Sequence, residues 1–247
     1  MGTQKIYDEV TRVVRDHPDR KGWKTHLDIG PGEGRMISMF REEFGFETSA
    51  CDYTDEMMKL PDQKLEIVDL NVEKLPYEDN AFDVVTATEV IEHLEHFRGV
   101  MREVYRVTKP GGLCVLTTPN ILNLNSRFRF VWFGFWNLFG PLPLKDGAIE
   151  SIGGHINPVS FFYVAHALIQ AGFDDVSVTV DKYQRSSIPK LIMAWLFIKF
   201  FAALTWRKET HRFKTIKEDN ASLVREMNTV PILLGRTIVV AARKPAA

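Results

Sequence analysis

The sequence predicts an α/β fold with a doubly wound, mostly parallel seven-stranded sheet, and three observations support this. Short apolar stretches alternate along the chain with segments whose apolar residues recur at helical spacing. A glycine-rich turn follows the first of these stretches. The chain has 247 residues, of which 45% are apolar and 26% charged, and this suits an ordinary hydrophobic core. We therefore expect residues 1–247 to form a single domain.

The first strand and its turn lie in residues 26–35, which read HLDIGPGEGR. Apolar alternation predicts a short buried strand, and Gly30, Gly32 and Gly34 crowd the turn before a helical pattern begins. Such a unit presents free backbone N–H groups and the positive end of a helix to a ligand. The spacing from Asp28 to Gly34 is D-x-G-x-G-x-G, whereas a dinucleotide site has G-x-G-x-x-G. An acid at this strand end favours a cationic group over an anionic pyrophosphate.

The other predicted strands follow in order along the chain. They cover residues 48–51, 65–68, 82–87, 113–117, 175–180 and 232–242. Helical spacing predicts helices over residues 92–107 and 159–170, the second with Asn157 as its N-cap and Pro158 at its first position. Strands that alternate with helices predict a parallel sheet covered on both faces.

Polar residues follow two of these strands, at the sheet edge where doubly wound folds bind their ligands. Asp52 follows the second strand, where an acid can accept hydrogen bonds from both ribose hydroxyls of a nucleoside. The alternative for Asp52 is the N-cap of a short helix over residues 53–59. Thr88 and Glu89 follow the fourth strand.

The glycine turn resembles motif I of the class I S-adenosylmethionine (SAM) dependent methyltransferases. The runs LPYEDNAFDVVTATEVIEHL and RVTKPGG resemble the group of these enzymes that includes ubiquinone-biosynthesis and lipid methyltransferases. Four motifs in the expected order cover residues 27–120. The resemblance implies the Rossmann-like methyltransferase fold, SAM as cofactor and S-adenosylhomocysteine as its product.

The resemblance also implies a set of cofactor-binding residues. The glycine turn and Asp28 would hold the methionine end of SAM, Asp52 the ribose and Asp69 the adenine. The full set is Asp28, Gly30, Pro31, Gly32, Gly34, Asp52, Tyr53, Asp69, Leu70, Thr88 and Glu89. In this family the first helix covers the cofactor, so Tyr7 either touches SAM or is an ordinary core or surface tyrosine.

Three residues are candidates for proton transfer at the acceptor: Glu89, His93 and His155. Methyl transfer from a sulfonium is an in-line displacement, so positioning and apolar enclosure are the main requirements. A base is needed only where the acceptor loses a proton. Each histidine also has a structural alternative, as a contact that holds its loop or as an exposed residue. Asn120 either orients an acceptor or caps a turn.

Two insertions extend the minimal fold: residues 121–156 after strand five, and residues 183–230 between strands six and seven. The first contains the aromatic run FRFVWFGFWNLF, and the second the apolar run LIMAWLFIKFFAALTW over residues 191–206. As a helix the apolar run would span about 24 Å, less than a bilayer crossing needs. The insertions either form a lid over the active site or anchor the chain at a membrane interface.

These features predict a methyltransferase with a small, apolar acceptor of lipid or quinone type at a membrane surface. The alternative acceptor is a sugar or a cell-surface glycan precursor, with the insertions as a lid. A NAD-dependent oxidoreductase is the less favoured alternative, because of the glycine spacing.

Composition sets the remaining expectations. A net charge of -1 gives no basic field for phosphates, so we expect no nucleic-acid partner. Cys51 and Cys114 fall in predicted strands and are expected to be free thiols in a cytoplasmic protein, peripheral at the inner membrane face if the anchor forms. The histidines are scattered along the sequence, so no metal site is expected.

Overall fold

A computed structural model describes residues 2–143 and 154–246, and these contain one seven-stranded sheet. The strands are β1 Thr25–Ile29, β2 Glu47–Asp52, β3 Leu65–Ile67, β4 Phe82–Thr88, β5 Thr108–Pro119, β6 Asp174–Val180 and β7 Thr237–Arg243. Their order is β3-β2-β1-β4-β5-β7-β6, and β7 runs antiparallel to both of its neighbours. The predicted doubly wound, mostly parallel sheet is therefore confirmed.

Helices cover both faces of the sheet. They are α1 Gln4–Arg15, α2 Arg35–Phe44, α3 Phe97–Val107, α4 Leu124–Phe133, α5 Phe161–Ala171, α6 Ile188–Lys208, α7 Ala221–Glu226 and α8 Val230–Leu234. Residues of α1 and α2 pack in one apolar cluster with Val84, whereas residues of α3 and α5 pack in a second cluster with Val85. Successive residues of β4 thus face opposite layers, which explains why this strand is apolar almost throughout.

The predicted helix over residues 92–107 is wrong in its first part. The structure has a 3₁₀ turn at Ile91–His93, and α3 begins only at Phe97. In a continuous helix the carbonyl of Glu92 would accept the N–H four residues later. Here it accepts instead the N–H groups of Ile156 and Asn157, at 3.0 and 2.9 Å. Hydrogen bonds from a loop distant in sequence therefore take the place of those that the first helical turn would have made.

Two other predicted boundaries are also wrong. The strand predicted from residue 232 begins at Thr237, because residues 230–234 form α8 with Pro231 in its first turn, where proline fits well. The helix predicted from residue 159 begins at Phe161 with Ser160 as N-cap. Asn157 does not cap it, since its Nδ2 donates to the carbonyl of Leu94 at 3.0 Å.

Two excursions leave the sheet from the carboxyl ends of its parallel strands. The first follows β5 and carries α4, and residues 144–153 of the predicted insertion lie outside the described residues. The second follows β6 and carries α6, α7 and α8 before β7 begins. The helix α6 has 21 residues, longer than the predicted run over residues 191–206. The division of residues 1–247 into one domain with these insertions stays a prediction.

Candidate active site

The glycine turn connects β1 to α2 in a conformation that side chains would prevent. Gly30, Gly32 and Gly34 have φ angles of +67°, +51° and +84°. A Cβ on Gly30 would lie 2.5 Å from Val90 Cγ2, and one on Gly34 would lie 2.6 Å from Leu60 Cδ1. At Gly32 a Cβ would meet no described atom within 4 Å, because this residue faces open space. The turn thus presents bare backbone to whatever lies above it.

That open space is a cavity of about 890 Å³ at the carboxyl edge of the sheet, large enough for a nucleoside with an acceptor. Most of the predicted cofactor-binding residues line it: Gly30, Pro31, Gly32, Asp52, Tyr53, Asp69, Leu70, Thr88 and Glu89. Asp28 and Gly34 do not. Gly34 instead begins α2 as its N-cap. The cavity is where a doubly wound sheet is expected to bind its ligand.

Asp28 is buried behind the turn, in a hydrogen-bonded chain that joins β1 to β4. Thr86 Oγ1 donates to Asp28 Oδ1 at 2.7 Å, so the same hydroxyl accepts from His26 Nε2 at 2.8 Å. Asp28 Oδ2 has no partner among the described residues. Burial raises the pKa of Asp28 to about 7 and lowers the pKa of His26 to about 3. This carboxyl group can influence the turn above it but is not exposed to the cavity.

The acids after β2 and β3 stand at the wall of the cavity. Asp52 Oδ1 accepts the N–H of Tyr53 at 2.8 Å, and partial burial raises the pKa of Asp52. No α-helix follows over residues 53–59, so the helix N-cap alternative for Asp52 is wrong. Tyr53 is 74% exposed. Asp69 is also exposed, and its Oδ1 accepts the N–H of Asn71 at 2.9 Å.

The first helix closes the cavity on another side. Gly2, Gln4 and Tyr7 line it, and burial raises the pKa of Tyr7. The position of Tyr7 agrees with the family-based expectation that it can reach the cofactor. Arg35, the first residue of α2, also lines the cavity. No sequence pattern pointed to Gly2, Gln4 or Arg35, because their place depends on how α1 and α2 pack on the sheet.

Thr88, Glu89 and His93 line the end of the cavity beyond the glycine turn. Glu89 has a φ of +57°, which is uncommon for a residue with a side chain and often marks a functional site. Its Oε1 accepts from Thr117 Oγ1 at 3.2 Å. Burial raises the pKa of Glu89 to about 7. Asn120 is not in this group: its Nδ2 donates to backbone carbonyls of the α8 region, so it is structural.

His155 lies beside His93, although more than sixty positions separate them in sequence. The ring centroids are 4.8 Å apart, with an interplanar angle of 76°. Burial lowers the pKa of His93 and lowers that of His155 to about 4. Glu92, His93 and His155 each offer one atom that could bind a metal ion, and these three atoms lie within 4.8 Å of one another. The spacing of these residues in the sequence did not predict the cluster. The loop that carries His155 comes close to Glu92 only in the folded chain, where the N–H groups of Ile156 and Asn157 donate to the Glu92 carbonyl.

The two excursions leave an apolar surface on the same edge. The most exposed apolar side chains of α6 recur at helical spacing, so they lie on one face and are 46–77% exposed. They are Ile192, Met193, Leu196, Phe197, Phe200, Phe201 and Leu204. Val131, Trp132 and Phe133 of α4 are 58–72% exposed. The side chain of Asn125 links the start of α4 to the start of α6, because it forms hydrogen bonds with Lys190 and Ser186.

Comparisons with known proteins find similarity to methyltransferases. Residues 27–116 match the family described as a methyltransferase domain. The demethylmenaquinone methyltransferase of Listeria welshimeri is 35% identical over 130 residues, which are 46% of this chain and 55% of that protein. The ubiquinone/menaquinone biosynthesis C-methyltransferase UbiE of Pseudomonas fluorescens is 30% identical over 170 residues, covering 61% of this chain and 65% of that protein. The chain thus spans little more than half the length of the first of these relatives.

Solved structures share the fold. A SAM-dependent methyltransferase from Archaeoglobus fulgidus superposes with a TM-score of 0.59 at 20% identity, covering 96% of this chain and 94% of that one. The phosphoethanolamine N-methyltransferase 2 of Haemonchus contortus, in complex with SAM, gives a TM-score of 0.53 at 17% identity, covering 95% of this chain and 52% of that one.

The fold, the cavity and the matched domain point to one class of protein, the class I SAM-dependent methyltransferases, to whose methyltransferase domain residues 27–116 are similar. The cofactor of that class is SAM. Within the class, its similarity extends to methyltransferases of quinone biosynthesis.

Proposed function

We propose that this chain transfers a methyl group from SAM to a small, apolar acceptor of quinone or lipid type. The observation that carries the proposal is the cavity, which has the glycine turn and Asp52 at one end and Glu89 and His93 at the other. The names of the quinone-biosynthesis relatives support the acceptor class.

The residues present fit the cofactor. Gly32 leaves space where a Cβ would stand, and its backbone can approach the methionine portion. Asp52, half-buried at the end of β2, would accept hydrogen bonds from the ribose hydroxyls, and Asp69 with Leu70 would flank the adenine. Asp28 would act on the turn through its field, since it is not exposed to the cavity. SAM supplies the electrophilic methyl carbon, and the chain aligns the acceptor with it.

Among the candidate bases, Glu89 is the best matched to neutral pH. A general base works best when its pKa lies near the working pH. Burial brings the pKa of Glu89 to about 7, whereas it lowers the pKa of His155 to about 4. Glu89 also lines the cavity, and His155 does not. We therefore assign proton removal from the acceptor to Glu89.

We further propose that α6 docks on the surface of an anionic bilayer, from which the acceptor enters. The 21 residues of α6 contain no acid, and their cations stand at Lys190, Lys199, Arg207 and Lys208. Basic residues at the ends of an apolar helix complement anionic headgroups. A quinone or lipid acceptor resides in such a bilayer, so docking would bring the cavity edge to its source.

The sheet topology argues for a helix that lies at the interface. The region Arg185–Phe213, with 29 residues, is long and apolar enough to cross a membrane by length and composition. However, β6 before it and β7 after it are neighbouring strands, and α7 packs against α5. Both ends of the excursion therefore lie on the same side of any membrane. A single crossing by α6 would place β6 and β7 on opposite sides, although they are paired in the sheet.

Calorimetry with S-adenosylhomocysteine tests cofactor binding. We expect clear binding by the wild type and about a 100-fold loss in Asp52→Ala, because two hydrogen bonds to a charged group are removed. Asp62→Ala, an exposed acid on the following loop, is the matched control and should bind normally. A folded wild type that releases no heat would refute the proposal.

Activity with labelled SAM tests the acceptor. Incubation with a short-chain demethylmenaquinone should transfer label to the organic phase. Transfer of label only to a nucleotide sugar would instead support the glycan alternative.

A further inference from the structure

Glu92 is a carboxyl group buried without a partner. Its exposure is 0%, and neither Oε1 nor Oε2 accepts a hydrogen bond of good geometry within the described residues, although the Thr118 hydroxyl lies near enough to lower its pKa. Burial and the neighbouring Glu89 carboxylate both raise the pKa of Glu92. No described lysine or arginine forms a salt bridge with Glu92. Burying such a group costs free energy unless something compensates it, and a bound cation would do so.

Two imidazoles face this carboxyl group with one nitrogen free for a ligand. Nδ1 of His155 is buried and has no hydrogen-bond partner among the described residues. The ring of His93 lies against that of His155, with the centroids 4.8 Å apart. A neutral imidazole has one nitrogen with a free lone pair, and this is the atom that binds a metal ion.

We propose that Glu92, His93 and His155 bind a divalent first-row transition-metal ion at the acceptor end of the cavity. Their ligand atoms already lie within 4.8 Å of one another. Ligands about 2.0–2.2 Å from a tetrahedral Zn²⁺ lie roughly 3.4 Å apart. Side-chain rotations that move these atoms by about 1 Å would therefore bring all three within bonding distance of one ion.

The backbone holds the three residues together before any ion binds. The carbonyl of Glu92 accepts the N–H groups of Ile156 and Asn157, and Asn157 Nδ2 donates to the carbonyl of Leu94. These bonds fasten the loop that carries His155 to the turn that carries His93. A preorganised set of ligands loses less entropy on binding than one assembled from mobile loops.

The ligand types select the class of ion. Two imidazole nitrogens and one carboxylate suit Zn²⁺, Mn²⁺, Fe²⁺ or Co²⁺, whereas Mg²⁺ and Ca²⁺ prefer all-oxygen sites. Three protein ligands leave coordination positions for another molecule. Because His93 lines the cavity, those positions would be reached from it.

This placement deepens the proposed function and rests on it in one respect: the ion would bind an oxygen atom of the acceptor. An acceptor hydroxyl or enol held by a cation loses its proton more readily, because the cation stabilises the oxyanion. A histidine bound to the ion cannot also accept a proton. The ion site therefore leaves Glu89 as the base and selects acceptors with an oxygen next to the methylated atom.

Ion binding can be measured without any acceptor. Untagged full-length protein is stripped with a chelator and titrated with Co²⁺, and its visible ligand-field absorption is recorded. We expect one site per chain that Zn²⁺ displaces and Mg²⁺ does not. Glu92→Gln and His155→Ala should each weaken Co²⁺ binding at least 100-fold. His166→Ala is the control, because His166 lies on α5 beside Arg98, outside the cluster.

Two results would overturn the proposal: no Co²⁺ spectrum in folded wild type, or an unchanged spectrum in Glu92→Gln. Glu92→Gln keeps the shape of the side chain and removes a buried charge, so it should fold, and circular dichroism checks this. Calorimetry with S-adenosylhomocysteine on the same samples separates the two proposals. A protein that binds S-adenosylhomocysteine and no Co²⁺ refutes only the ion site, and the reverse refutes only the cofactor site.

Discussion

The cofactor half of the molecule, residues 2–88 with strands β1 to β4, and the helix α6 both contain apolar residues, but these residues lie in opposite environments. In α2, Met36 and Phe40 are at most 1% exposed, because they pack between the sheet and α1. In α6, none of the 21 residues is buried. Phe197, for example, is 66% exposed. A run of apolar residues therefore indicates burial in some medium, and the tertiary structure decides whether that medium is the protein itself.

The cofactor half and the excursions therefore have different surroundings at the same edge of the sheet. The cofactor half is closed by its own helices and leaves one cavity lined by backbone and acids. The excursions add an apolar face to that edge and leave it uncovered. An exposed apolar patch of this kind marks an interaction site on a soluble protein.

The largest effect is expected on the apolar face itself. Leu196→Asp combined with Phe197→Asp should weaken binding to anionic vesicles by a hundredfold or more. Two side chains lose about 1.5–3 kcal/mol of burial each, and two negative charges are added beside anionic lipid. Co-sedimentation with vesicles measures the change, and the affinity for S-adenosylhomocysteine should stay constant.

The control for this variant lies on the cofactor half. Val72 is 80% exposed, and Val72→Asp should leave vesicle binding unchanged. Equal loss in both variants would mean that general surface hydrophobicity drives the binding. A different outcome is that the wild type does not bind vesicles but forms dimers, and that Leu196→Asp combined with Phe197→Asp makes it monomeric. That result would assign the apolar face to contact with a second copy of the chain.

A smaller effect is expected at Asp28, the buried acid of the cofactor half. Its pKa is raised to about 7 from an unfolded value of 3.8, so the folded state holds the proton more tightly. The free energy of unfolding of the wild type should therefore fall as pH rises from about 4 to about 7. Asp28→Asn lacks this dependence and should be more stable by up to about 4 kcal/mol at pH 8, with no gain at pH 4.

Urea unfolding of both proteins at the two pH values measures the difference. Asp62→Asn, at an exposed position, is the control and should match the wild type at both. A gain that is equal at pH 4 and pH 8 would show that packing, and not the charge of Asp28, is responsible.

The smallest effect is expected from the basic end of α6. Arg207→Gln should lower the affinity for anionic vesicles about fivefold, because one basic residue near such a surface contributes about 1 kcal/mol. Binding to neutral vesicles should not change, and added salt should remove the difference between variant and wild type. An equal loss on neutral vesicles would assign Arg207 a structural role.

The strands and turns of the cofactor half were predictable because they depend on local rules. Apolar periodicity located β1, β2 and β4, and the glycine spacing located the turn above them. The predicted acid at Asp52 stands at the cavity wall because the carboxyl ends of parallel strands share one edge. Helix boundaries were less predictable, since α3 begins late only because distant backbone groups bond the Glu92 carbonyl.

Periodicity, glycine spacing and composition are properties of neighbouring residues, so the class of fold, the cofactor family and the two apolar runs could be read from the chain alone. The tertiary structure alone decided that Asp28 is hidden behind the turn, that His155 meets Glu92 and His93, and that α6 faces outward. These are contacts between residues far apart in the chain. Such contacts exist only after the sheet has brought its strand ends to one edge, so no local pattern records them.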